Sequence, residues 1–174
     1  MEKIVQNIIF RKNKGFTLVE LLLYVGISSF ILSAVVFFAS SLIQTQTKNR
    51  TTSEVNEQGI ILMQFITQTI RNAESINYPT TGENSTQLSL GVGEAIKNPT
   101  IFRVDSGAFQ VQEGANIDVL TNSKVTVVNE RFTNLSLADT PGVIKIDFTL
   151  SYVNPSQRNE FNYAKTFTST VSLR

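Results

Sequence analysis

The sequence predicts an α+β protein in which one long N-terminal helix, membrane-spanning in its first half and amphipathic in its second, packs on an antiparallel β-sheet head. Three observations predict it. Residues 21–43, LLLYVGISSFILSAVVFFASSLI, run without a charge. An apolar stripe at helical spacing follows from Val55. Beyond Gly82 the apolar residues change to a period of two.

The first helical half is justified by length. As a helix, 23 uncharged residues span ~35 Å, enough for a hydrocarbon core of ~30 Å. Charge orients it. Residues 1–15 hold Lys3, Arg11, Lys12 and Lys14 against Glu2, a net of +3. The remainder nets −2, which hides the asymmetry inside a total of +1. The basic end is expected in the cytoplasm and the rest outside it. An ordinary signal peptide needs a shorter apolar run and a small-x-small cleavage site, to which Ala39-Ser40-Ser41 is a loose match. A plain single-pass anchor fits length and flanking charge. Between Gly15 and Thr47, Glu20 is the one group charged at neutral pH, a costly residue at the edge of a membrane span. No proline precedes Pro79, so a continuous helix is expected, with Gly26 and Ser28-Ser29 as its weak points.

The second half is polar at first, then shows Val55, Leu62, Ile66, Ile70, Ala73 and Ile76 on one face, widened by Phe65 and Thr69. Glu57, Gln64, Gln68, Arg71 and Asn72 occupy the other side, and Pro79 and Gly82 are expected to end the helix. Strands follow. Residues 100–104 and 108–112 read as a hairpin with Gly107 in the turn. Residues 125–137 read as a long or bent strand, and Thr140-Pro-Gly142 as a turn with proline and glycine in type II positions. Ile144, Ile146, Phe148, Leu150 and Tyr152 alternate with polar residues, the clearest strand in the chain. Phe167, Val171 and Leu173 alternate likewise in the last strand. The expected divisions are a leader at 1–15, a hydrophobic helix at 16–46, an amphipathic half at 47–78 and a β-rich head at 79–174.

Composition narrows the chemistry. The chain has no cysteine, hence no disulfide framework or thiolate metal site, and no histidine, the commonest general base. No phosphate loop, zinc spacing or EF-hand string occurs. Carboxylates are scattered: Asp105, Glu113, Asp118, Glu130, Asp139, Asp147 and Glu160. Asp105 suits its turn. No cofactor, metal or small-molecule substrate is expected, and no enzyme activity. Lys97, Arg103, Lys124, Arg131, Lys145, Arg158 and Lys165 form no run, so DNA is an unsupported partner unless the fold collects them. Asn49-Arg-Thr51, Asn84-Ser-Thr86 and Asn134-Leu-Ser136 match a glycosylation acceptor, a triplet frequent by chance.

The string Lys14-Gly15-Phe16-Thr17-Leu18-Val19-Glu20-Leu21, behind a basic leader and before the apolar run, resembles the prepilin signature of type IV pilins and type II secretion pseudopilins. The resemblance implies a membrane peptidase that cuts between Gly15 and Phe16 and methylates Phe16. Glycine suits close backbone approach to a peptidase cleft, and a cut there leaves the apolar helix on the mature protein. It also implies that Glu20, near the positive end of the helix dipole, pairs with the N-terminal amine of a neighbouring subunit. Many members carry a proline in the apolar helix; Phe37 lies in that region here.

The hairpin followed by two long strands ending in Thr-Val-Ser-Leu-Arg looks like the J-type minor pseudopilins. The expectation is a minor pilin or pseudopilin, a structural subunit that initiates or caps a filament for secretion, adhesion or DNA uptake. The alternatives are a major pilin or a membrane-anchored surface adhesin. The implied partners are prepilin peptidase, other pilins or pseudopilins, an inner-membrane assembly platform, and membrane lipid before assembly. The implied location is the cytoplasmic membrane, single-pass, then a filament at the cell surface or in the envelope.

Overall fold

The computed structural model describes residues 15–138 and 140–174. Thr17 opens the helix α1 (Leu18–Arg71): its hydroxyl accepts the Glu20 amide at 3.2 Å, satisfying one of the orphan N–H groups of the first turn. Thr17-Leu-Val-Glu20 has the spacing of a capping box. The helix then continues through Gly26 and Ser28-Ser29 to Arg71, as expected. Ser29, Ser33 and Ser40 return their hydroxyls to the carbonyls of Val25, Ser29 and Val36, so these polar atoms are satisfied inside the apolar run.

The chain divides into two compact units, one ending at Ile43 and one spanning Gln44–Arg174. In the first, the large apolar side chains from Phe16 to Ile43 are exposed. In the second, α1 buries Thr51, Val55, Gly59, Leu62, Ile66 and Ile70 against the head. The expected stripe is present, joined by Thr51 and Gly59, while Glu57, Gln64, Gln68, Arg71 and Asn72 are exposed. Gly59 is required by packing: a Cβ there would run into the Phe167 ring.

One boundary is corrected. The expected helical span to residue 78 stops at Arg71, and Ser75–Tyr78 is a strand, β1. Long-range pairing overrides the helical period. The Glu74 amide donates to the Gly91 carbonyl at 2.8 Å, and Ile76 pairs with Leu90. Ala73 and Ile76 still face the core, although neither is helical.

The head contains two antiparallel sheets where one was expected. Further strands are β2 (Asn84–Ser85), β3 (Leu88–Gly91), β4 (Thr100–Asp105), β5 (Ala108–Glu113), β6 (Asn116–Val119), β7 (Val125–Asn134), β8 (Val143–Tyr152) and β9 (Ala164–Ser172). The five-stranded sheet has the order β1-β3-β4-β5-β6, and the four-stranded sheet β2-β7-β8-β9. Phe109 of β5 joins them. Its ring lies 6.4 Å from Phe102 in its own sheet, and 6.3 Å and 5.9 Å from Phe132 and Phe148 in the other.

The hairpin expectation holds. Asp105 pairs with Ala108, and Ser106 and Gly107 both take positive φ, as a two-residue type I′ turn requires. The bend in the 125–137 segment is a register shift between Val127 and Asn129. Thr140-Pro-Gly142 is not a type II turn, because Gly142 lacks the positive φ that type II demands. Gly142 instead lets the chain pass close to Ile76 and Leu173 and accepts the Leu173 amide at 2.8 Å. In β8, Ile144, Ile146, Phe148 and Leu150 are buried with the expected alternation.

Candidate functional site

The residues singled out by sequence gather at the start of α1. The basic leader, including Lys14, lies outside the described residues; Gly15, Phe16 and Glu20 lie within them. Gly15 precedes the helix, and a Cβ added to it would meet nothing within 4 Å. The fold of this chain therefore makes no demand for glycine there, and any demand comes from another molecule.

Phe16 is 72% exposed, and its ring stands edge-on to Tyr24 at 5.8 Å. The Tyr24 hydroxyl donates to Glu20 Oε1 at 3.2 Å. Phe16, Glu20 and Tyr24 thus share one face across the first two turns, with Thr17 capping the backbone beneath them. Thr17 and Tyr24 were not singled out as site residues by sequence reasoning. The signals were present: Ser/Thr-x-x-Glu for the cap, and a tyrosine four residues after a carboxylate for the contact.

The apolar part of α1 is exposed among the described residues. By length and composition this helix can cross a membrane.

The head gathers no second chemistry among its described residues. Asp105, Glu113, Asp118, Glu130, Asp147 and Glu160 do not converge in threes, and Asp139 lies outside the described residues. Six of the seven scattered cations have a partner or an opposite charge at hand. Lys97 pairs with Glu94, Lys124 with Glu54, Lys145 with Asp147 and Arg158 with Glu160. Lys165 donates to Asn56 and lies over the Phe167 ring. Arg131 stands opposite Asp147 in the β7–β8 register. Arg103 stands opposite Gln110 in the β4–β5 register, and four of the seven cations are ion-paired.

Asn134 of the third glycosylation-like triplet is buried. Its amide donates to the Pro79 carbonyl at 2.8 Å, and its oxygen accepts the Ser136 amide and hydroxyl. It ties β7 to the start of the head and is not free for a sugar.

With this geometry in view, a family model described as "Prokaryotic N-terminal methylation motif" matches residues 10–36. The match takes in Gly15, Phe16, Glu20 and much of the exposed apolar run. It supports a structural subunit of the type IV pilin or pseudopilin kind, cleaved and methylated as a prepilin and anchored in the membrane. No curated protein and no solved structure matches the chain.

Proposed function

We propose that this chain is a minor pilin or pseudopilin, a structural subunit that initiates or caps a filament used for secretion, adhesion or DNA uptake. Prepilin peptidase cuts between Gly15 and Phe16 and methylates Phe16. The leader stays cytoplasmic, residues 16–46 rest in the lipid until extraction, and the head lies outside the cytoplasmic membrane. In the filament Glu20 pairs with the N-terminal amine of a neighbour's Phe16. The assembly platform and other pilins or pseudopilins are the partners.

The observation that carries this reading is one carboxylate, five residues beyond Gly15, at the start of an apolar run that is exposed among the described residues. An apolar surface of this size needs lipid or other helices. An unpaired carboxylate among packed helices costs several kcal/mol, so a counter-charge there also fixes register. The minor role is supported by the unbroken α1, which has no proline to melt it.

Mass spectrometry of the protein from native membranes tests the processing: Phe16 should come first and carry a methyl group. Gly15→Leu should leave the full-length precursor, because a branched side chain keeps the backbone out of a close-fitting cleft. A retained leader in the wild type refutes this. Glu20→Ala should insert and be processed normally, since it makes the segment more apolar, yet fall sharply in filament incorporation. Proteomics of purified filaments should find this chain far below the most abundant pilin; if it dominates, the major-pilin reading replaces the minor one.

A further inference from the structure

The apolar run of α1 treats its hydroxyls in two ways. Ser29, Ser33 and Ser40 bond back to carbonyls four residues earlier and stay within the helix backbone. Tyr24 reaches a side chain instead, and that side chain is Glu20. Tyr24 interrupts Leu21-Leu22-Leu23 and Val25, where only its hydroxyl is polar.

We infer that Tyr24 is a positioning residue for Glu20: it holds Oε1 along the helix and leaves Oε2 as the acceptor for the ammonium of a neighbouring subunit. The role of Glu20 rests on the pairing proposed above; the contact itself does not. A carboxylate on an apolar helix is under-solvated and has several rotamers. A phenol four residues on lies one turn away on the same face, the geometry at which helix side chains meet. Its O–H is a donor directed at an acceptor-only group. The edge-on contact between the Tyr24 and Phe16 rings gives the phenol a second role. It seats the residue that cleavage would make N-terminal beside the carboxylate of the same chain. The backbone hydrogen bond from the Glu20 amide to Thr17 fixes the helix start on which all three side chains stand.

The test separates hydroxyl from ring. Tyr24→Phe keeps the aromatic contact with Phe16 and removes the donor alone. Full-length chain with carbon-13-labelled glutamate and tyrosine is placed in lipid nanodiscs, and NMR at constant pH reads the Glu20 carboxyl carbon and its through-space contact with the Tyr24 ring. Wild type should show that contact and one narrow Glu20 carboxyl signal; in Tyr24→Phe the signal should move and broaden as the side chain samples other rotamers. Tyr24→Leu should do the same, and also broaden the Phe16 ring signals. A Glu20 carboxyl signal unchanged in Tyr24→Phe overturns the inference, whatever happens in assembly.

The second arm reads filament incorporation in cells. Tyr24→Phe should lower it by up to about tenfold. Added to Glu20→Gln it should lower it no further, since both changes act on one contact. Additive losses overturn the positioning role. A Glu20→Gln chain that assembles like wild type refutes the proposed pairing, while the nanodisc spectra still decide the contact. The two failures are therefore distinguishable.

Discussion

One helix, α1, serves two regions that treat apolar side chains in opposite ways. Up to Ile43, Leu22, Val25, Phe30, Phe37 and their neighbours are exposed; from Gln44 onward Val55, Leu62, Ile66 and Ile70 are covered by two sheets. Backbone geometry is the same in both. The difference lies in where the partners come from. The head carries its own, in nineteen buried apolar residues from helix and strands. Among its described residues the first region leaves these side chains exposed, as a helix that meets lipid or other chains would. Sequence marks the change: the first region is apolar all round, the second along one stripe.

The largest expected effect breaks the head. A fragment beginning at Gln44 should be soluble, folded and monomeric, while the full chain requires lipid or detergent. In that fragment Phe148→Asp should abolish the folded state. Phe148 is 1% exposed and contacts Phe109 at 5.9 Å and Phe167 at 5.4 Å, so the carboxylate would replace the aromatic junction at a cost of several kcal/mol. Circular dichroism and hydrogen exchange read the outcome. A folded Phe148→Asp fragment would mean that the core is not where the burial pattern puts it.

The next test sets two glycines of α1 against each other. Alanine is the better helix former by up to about 1 kcal/mol, so Gly→Ala in an open position should stabilise. At Gly26 a Cβ meets nothing within 4 Å, and Gly26→Ala should leave the detergent-solubilised chain as helical as wild type or more so. At Gly59 a Cβ collides with the Phe167 ring, which stacks on Phe148. Gly59→Ala should destabilise the head by about 1–3 kcal/mol in urea unfolding, overpacking outweighing propensity. Equal effects at both sites would erase the contrast between the regions.

Much of this architecture was legible, and what was not has identifiable causes. The stripe of Val55, Leu62, Ile66 and Ile70, the Gly107 hairpin and the alternation of Ile144 to Leu150 are local patterns, and the fold follows them. The stripe omitted Thr51 and Gly59 because neither is apolar by type, although both lie on its period. β3 is four residues, Leu88-Ser-Leu-Gly91, and β2 only Asn84-Ser85, too short for period two to stand out. β6 is exposed throughout, so no buried face marks it. The end of α1 at Arg71 is followed by pairing with Gly91 and Leu90, and the strands sort into two separate ladders that meet at Phe109; both are long-range facts. At the start of α1 a spaced motif singles out Gly15, Phe16 and Glu20 in the sequence, whereas the contact of Tyr24 with Glu20 required coordinates to show where its hydroxyl points.

The smallest expected effect sharpens the comparison at a long-range ion pair between α1 and the head loops. Glu54 accepts Asn122 Nδ2 at 2.6 Å and Lys124 Nζ at 3.0 Å, joining α1 to the loop before β7. The hydrogen bond from Lys124, then that from Asn122, holds its carboxyl below the ordinary value of 4.5, and partial burial opposes them weakly. A lowered folded value means the anion is favoured in the native state, so the stabilisation is present above the unfolded value. It is lost as pH falls through the lowered one. The pair is largely solvent-accessible, so the effect is modest and screened by salt. Glu54→Gln keeps an acceptor for Asn122 and removes the charge facing Lys124. In the head fragment its melting temperature should lie slightly below wild type at pH 7, and the gap should close as pH drops below about 4.5. The difference between the two proteins isolates this carboxylate from three others. Burial lifts Glu130; Asp147 falls because the Thr168 hydroxyl and Lys145 outweigh its burial, and Glu160 because of its own backbone amide and Arg158. Those three contribute to both melting curves and cancel. A gap that widens in acid would mean that Glu54 is held neutral, and that the contact between α1 and the head loops is not an ion pair.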